Sequence, residues 1–166
     1  MESDERKTVT LSENITIRTA TPADIKILMH HRRRMFFEMG YTDEAVLAGM
    51  EATSEPFFLK GLANGSFHAW LAENSSQQVV AGGGVIVFDY PPSARDSSPK
   101  RPIIVNVYTE PEYRRRGIAR KLMEMMIEWC RAQNFGSIML HASDEGRRLY
   151  ESLGFQQTNE MRLMLR

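Results

Sequence analysis

The stretch from Ile103 to Cys130 constrains this chain most. It reads as an apolar run, then a basic junction containing one glycine, then an amphipathic run. IIVNVYT (103–109) has the composition of a strand. The run that ends in KLMEMMIEWC puts Ile118, Leu122, Met125, Met126 and Trp129 on one helical stripe, so that helix is expected to pack on a sheet. Between them, EYRRRGIARK (112–121) places the first helical turn at RRRGIA, directly after the strand. A helix start carries unpaired N–H groups and the positive end of the macrodipole, so this junction favours an anion. Gly117 and Ala119 keep the surface low enough for a phosphate to reach the backbone. Arg114, Arg115, Arg116 and Arg120 add charge for diphosphate oxygens.

Other phosphate motifs do not fit. No G-K-[ST] follows the glycine, and no G-x-G-x-x-G joins strand to helix. GGGV (82–85) lies inside a strand pattern, where glycine marks a bulge or a close approach.

Around this junction the chain alternates strands and helices. Residues 1–12 are polar and read as a flexible tail ahead of a single domain over 13–166. NITIRTA alternates as a strand. Thr21, Pro22 and Asp24 then open a helix that Gly40 ends. A second helical region covers about 42–64, with a break expected near Pro56. FHAWLAE and QVVAGGGVIVFDY flank NSSQ as a β-hairpin, and PPSARDSSPKRP (91–102) is a long loop. After the junction helix, which runs to about Gln133, come strand SIMLHAS, helix EGRRLYESLG and a last strand near EMRLML. One mixed sheet covered by helices follows, an α/β or α+β domain.

The bounds agree with this. A chain of 166 residues has room for one core, and 21 basic against 21 acidic side chains argue against a protein that coats nucleic acid or an anionic membrane. The opening MESDERKTVT lacks the apolar stretch of a secretory signal, and no run is long enough to span a bilayer. With Cys130 as the single cysteine, no disulfide framework forms within the chain, and a cytoplasmic location is expected.

The spacing [Q/R]-x-x-G-x-[G/A], here Arg114, Gly117 and Ala119, resembles the pyrophosphate-binding motif of the GNAT superfamily of acyl-CoA-dependent N-acetyltransferases. VYTEPEYRRRGIA resembles that family's strand–turn–loop. LYESLGF (149–155) resembles its LYxxLGF helix and turn, with a strand between the two. The resemblance is close over 103–166 and looser over 14–90. It implies a mostly antiparallel sheet of six to seven strands flanked by about four helices and splayed at 103–109. Acetyl-CoA would be the acyl donor, an amine the acceptor, and no metal would take part; members often dimerise.

By position, the resemblance assigns backbone groups of Val107, Tyr108 and Thr109 to the pantetheine arm. The segment Arg114, Arg115, Arg116, Gly117, Ile118, Ala119 and Arg120 is assigned to the pyrophosphate. Tyr150 matches the tyrosine that protonates the departing sulfur. The implied reaction is direct attack in a ternary complex, without Cys130. The pattern is broken in three places. The strand 103–109 contains no Asp or Glu; Asn106 and Tyr108 are expected to share an acceptor-facing side with Ile104, and the base is left among Glu38, His141 and a water chain. Ser143 stands where the family often has an asparagine that contacts CoA, and it also suits a helix cap. Gly146 replaces a small alanine, which reads as a minor change.

Plainer readings apply to the remaining residues. In isolation Tyr150 reads as a core tyrosine. His30 and His31 are adjacent, so they diverge by about 100° on a helix and do not chelate together. Arg32, Arg33 and Arg34 fan around that helix as a mostly solvated face, with one arginine free to turn toward an anionic acceptor. Met35, Phe36, Met39 and Tyr41 offer an apolar wall, and Glu38 a charge that attracts an amine. A non-catalytic acyl-CoA-binding domain is the alternative to an enzyme. A nucleic-acid binder is disfavoured by the charge balance.

Overall fold

Residues that alternate inward on five strands supply two apolar layers, one on each side of a sheet. A computed structural model describes the backbone of residues 9–11 and all of residues 14–165. Among the described residues one six-stranded sheet follows chain order: β1 (Val9–Leu11), β2 (Ile15–Thr19), β3 (Phe67–Glu73), β4 (Val79–Asp89), β5 (Lys100–Thr109) and β6 (Met139–Leu140). Neighbours are antiparallel except β5 and β6, which are parallel and joined through α3 (Ile118–Ala132). α1 (Ile25–Glu38) and α2 (Glu44–Asn64) cover one face; α3 and α4 (Arg147–Ser152) cover the other. This is the mixed, mostly antiparallel sheet with four helices that the family resemblance implied.

The layer under α3 is built from Ile15, Ile17, Val85, Ile104, Leu122, Met123 and Met126, all buried. The layer under α1 and α2 is built from Leu28, Met29, Phe58, Phe67 and Leu71. Met125 and Trp129, expected on the buried stripe of α3, pack at its margin.

Four expectations are corrected. Within the tail expected at 1–12, residues 9–11 pair with β2 as an edge strand, and the rest of that tail lies outside the described residues. α2 runs unbroken through Pro56. The proline leaves the Ala52 carbonyl without its helical donor, but Ala52 and Pro56 both face solvent, where water replaces it. Buried Leu47, Phe58 and Gly61 hold the opposite side of that helix in place. The strand expected near EMRLML does not form. Residues 155–165 run unpaired, with Met161 95%, Leu163 80% and Leu165 85% exposed. Finally, Ile104 does not share a side with Asn106 and Tyr108. It packs under α3 while they face α1, because β5 carries an extra residue at a bulge.

Candidate active site

The bulge sets the geometry of the site. Gly82 pairs with Tyr108 and Gly84 with Val105, so Gly83 alone opposes both Asn106 and Val107. Asn106 takes up the extra length with φ +57°, a left-handed conformation that asparagine tolerates. The glycine run therefore marks both a bulge and a close approach, since a β-carbon on Gly83 would stand 2.9 Å from Met126 Cε. On its other side β5 pairs with β6 only at Ile103 and Ile104. Beyond Ile104 the two strands part, which leaves the β5 edge through Val107, Tyr108 and Thr109 unpaired by β6. The Thr109 hydroxyl is buried there without a partner among the described residues.

The open edge runs straight into the basic junction. After a 3₁₀ turn over Pro111–Tyr113, Arg114 is extended, Arg115 is left-handed at φ +61° and Gly117 is left-handed at φ +78°. Left-handed residues alternating with others make a concave nest of N–H groups. The first helical bond of α3 runs from the Lys121 N–H to the Gly117 carbonyl at 3.1 Å. The amides of Ile118, Ala119 and Arg120 precede it and have no helical acceptor. A β-carbon on Gly117 would touch nothing within 4 Å, so the space beside this glycine is open. Gly117 itself is the N-cap, and no side chain among the described residues caps the helix.

The arginines are used unevenly. Arg114 Nη2 lies 2.7 and 2.8 Å from the Glu38 oxygens, and its Nε donates to the Thr109 carbonyl at 2.8 Å. Arg116 covers the Tyr113 ring and donates to the Glu112 carbonyl at 2.7 Å. Arg120 donates to the Ser152 hydroxyl at 2.7 Å, which links the start of α3 to α4. Arg115 is exposed beside the nest.

Tyr150 lies on α4, half-buried against the α3 layer that also includes Val107. Burial pushes its phenol above the ordinary tyrosine value. Its hydroxyl makes no hydrogen bond among the described residues, and the ring packs edge-on to Phe155. The Ser143 hydroxyl accepts from the Gly146 amide at 3.2 Å, in the turn that leads into α4, whose own N-cap position is Gly146. Gly146 lies directly under the far end of the Tyr150 side chain. A β-carbon there would stand 2.7, 2.9 and 3.0 Å from Cε2, Cζ and the hydroxyl of Tyr150, so glycine is what admits the ring in this pose.

Of the base candidates, Glu38 is held by Arg114 and also accepts from the Tyr108 hydroxyl at 3.3 Å. His141 is exposed beside Glu160 and Arg162, on the unpaired C-terminal segment. Glu110, one residue past the strand and absent from the sequence reading, lies 2.8 Å from His30 Nε2 and 3.5 Å from the Tyr108 hydroxyl. Its signal was weak, because an acid just outside a strand reads as turn. Burial, with Glu110 and Glu38 adding to it and Arg34 opposing, raises the Tyr108 phenol. His31 is 1% exposed, stacked near Tyr108, with neither ring nitrogen hydrogen-bonded among the described residues. Burial lowers it to about 4.

The profile of the Acetyltransferase (GNAT) family matches residues 26–155. The chain belongs to this family. Among solved GNAT-fold structures, a GCN5-related N-acetyltransferase from Ralstonia eutropha is 31% identical with a TM-score of 0.86, over 91% of this chain and 98% of that one. A predicted acetyltransferase from Clostridium acetobutylicum, solved with acetyl-CoA, is 29% identical with a TM-score of 0.83, over 90% of this chain and 95% of that one. The human N-acetyltransferase 8 is 29% identical over 94 residues, 55% of this chain and 39% of the relative. The match thus spans about two fifths of that curated relative's length. Two GNAT features, the parted strands and the open nest, are brought together at one end of β5. Ser143 and the Tyr108 side chain are engaged elsewhere, in the turn before α4 and against α1.

Proposed function

We propose that the chain transfers an acetyl group from acetyl-CoA to a primary amine of a small molecule, peptide or protein, by direct attack in a ternary complex. One observation carries this reading: an unpaired strand edge leads into a backbone nest at a helix start. An extended amide-bearing arm matches the edge of Val107–Thr109, and a diphosphate matches the nest from Arg115 to Arg120. The orphaned Thr109 hydroxyl and the open space over Gly117 support the fit.

In this reading the amine nitrogen bonds to the thioester carbon, and charge gathers on the carbonyl oxygen. The amide of Val107, at the bulge, is suited to meet it. The C–S bond breaks and the thiolate takes a proton from Tyr150, whose burial keeps it protonated. The proton lost by the amine passes through water to the Glu38–Tyr108–Glu110 cluster. Cys130 takes no part, since burial pushes its thiol up to about 12. The proposed compartment is the cytoplasm; no helix among the described residues is long and apolar enough to cross a membrane. The proposed assembly is a homodimer, supported by the exposed Met161, Leu163 and Leu165.

The test is release of free thiol from acetyl-CoA with a panel of amines and peptides. Amine-dependent, saturable release is expected. Coenzyme A binding without release would return the chain to the non-catalytic alternative, and absence of binding would defeat both.

A further inference from the structure

We propose that the acceptor amine also carries a carboxylate, received by Arg32 and Asn106 where β5 leaves β6. This rests on the acetyl-transfer reading and narrows its acceptor. α1 bears four cations among Lys26, Arg32, Arg33 and Arg34, and three have carboxylate partners. Lys26 lies 3.0 Å from Glu55, Arg33 lies 2.6 Å from both Glu44 and Glu51, and Arg34 lies 3.7 Å from Glu38. Arg32 is half-buried, and its hydrogen-bond partners among the described residues are neutral. Its Nε donates to the Ser54 hydroxyl at 3.1 Å and its Nη1 to Asn106 Oδ1 at 2.8 Å. The Phe36 and Phe58 rings stand 5.0 and 5.3 Å from the guanidinium carbon. A guanidinium partly withdrawn from water, with no countercharge among the described residues, is costly, and burial correspondingly weakens its hold on the proton.

Asn106 adds a second, independent sign. It is 4% exposed. Because Arg32 only donates, the amide oxygen must face it, which turns Nδ2 the other way. That Nδ2 is buried with no partner among the described residues, while Arg32 Nη2 makes no hydrogen bond among them and still reaches solvent. Two idle donors therefore flank one bonded pair, one of them cationic. A group with two oxygens and a single negative charge satisfies both; a dianionic phosphate would outweigh the one cation available. Asn106 immediately precedes Val107, the residue proposed to meet the thioester carbonyl. A strand advances about 3.3 Å per residue, so the amine and the carboxylate must lie within a few bonds of each other. The acceptor class is an amino acid or a short amino-acid-like zwitterion.

The experiment pairs each common amino acid with its carboxamide. Acetyl-CoA turnover is measured for both, along with calorimetric binding to the protein saturated with coenzyme A. At least one acid should exceed its amide by roughly 10- to 100-fold in kcat/KM, the range expected for charge-assisted hydrogen bonds. Arg32→Gln should bring that ratio close to one and leave acetyl-CoA affinity intact. Asn106→Asp supplies an internal carboxylate to Arg32 in a residue type that tolerates a left-handed backbone. It should abolish the preference while raising Tm, so the idea stays testable if Arg32→Gln does not fold. Equal use of acids and amides, or a preference that survives Asn106→Asp, overturns the carboxylate site and leaves acetyl transfer standing. Arg32-dependent binding of an amino acid without turnover supports the site and defeats the transferase reading. No binding and no turnover of any acid overturns the site.

Discussion

Arg114 Nη2 holds both oxygens of Glu38, at 2.7 and 2.8 Å, so the first residue of the phosphate motif is anchored to the end of α1. With its Nε on the Thr109 carbonyl, the same guanidinium joins strand, nest and helix. Glu38→Gln is expected to weaken coenzyme A binding about 3- to 10-fold by loosening the nest, with a stability loss of about 1 kcal/mol, because the pair is partly solvated. Calorimetry and thermal melts read both. Tighter binding in the variant would instead make Arg114 a phosphate ligand that Glu38 holds in reserve.

Gly146 and Tyr150 form a steric pair, and two variants separate geometry from chemistry. Tyr150→Phe should leave coenzyme A affinity unchanged and lower kcat on the order of 100-fold, the span of a general acid. Gly146→Ala should lower kcat by displacing the ring, together with a drop in Tm. Because burial raises the phenol, no alkaline fall in kcat attributable to Tyr150 is expected below about pH 10. A Gly146→Ala enzyme with ordinary kcat would show that the pose of the ring is irrelevant to turnover.

His31 makes the fold acid-sensitive. Burial lowers it from an ordinary value near 6.5 to about 4, assisted by the charge of His30. Glu110 lies 4.0 Å away, beyond hydrogen-bond reach, so burial prevails. A depressed folded pKa means that the unfolded chain binds the extra proton between those values. Stability is then complete above about 6.5 and is lost as pH falls toward 4, by roughly 3 kcal/mol. Urea titrations between pH 7 and 4 should show this slope in the native protein and lose it in His31→Phe. An unchanged slope in that variant would move the effect to other groups.

The exposed C-terminal residues give a prediction about assembly. Sedimentation of the whole chain should show a dimer at micromolar concentration. Leu163→Glu with Leu165→Glu should shift it toward monomer while leaving the melting of the core unchanged. A native chain that sediments as a monomer throughout refutes the homodimer.

Local pattern carried much of the site. The strand before Arg114, the glycine at 117 and the stripe of Ile118, Leu122 and Met126 lie close together in sequence, and their periodicity and backbone needs are local properties. Where expectation failed, a distant contact had intervened. Pro56 stays helical because the far side of α2 is buried, and Ile104 parts from Asn106 because a single residue of excess length flips the strand's alternation. The weight of Gly146 was invisible, since only the folded α4 brings the Tyr150 ring over it.

By itself the sequence determined the strand–nest–helix junction, the two-layered α/β plan and the family resemblance, because each depends on residues within a few turns of one another. Tertiary structure alone decided which charges are already spent and which are idle. Glu38 meets Arg114 across 76 positions, and Arg32 meets Asn106 across 74. No periodicity encodes such pairings; they exist only once α1 lies across the end of β5 and excludes the water that would otherwise satisfy every polar group alike.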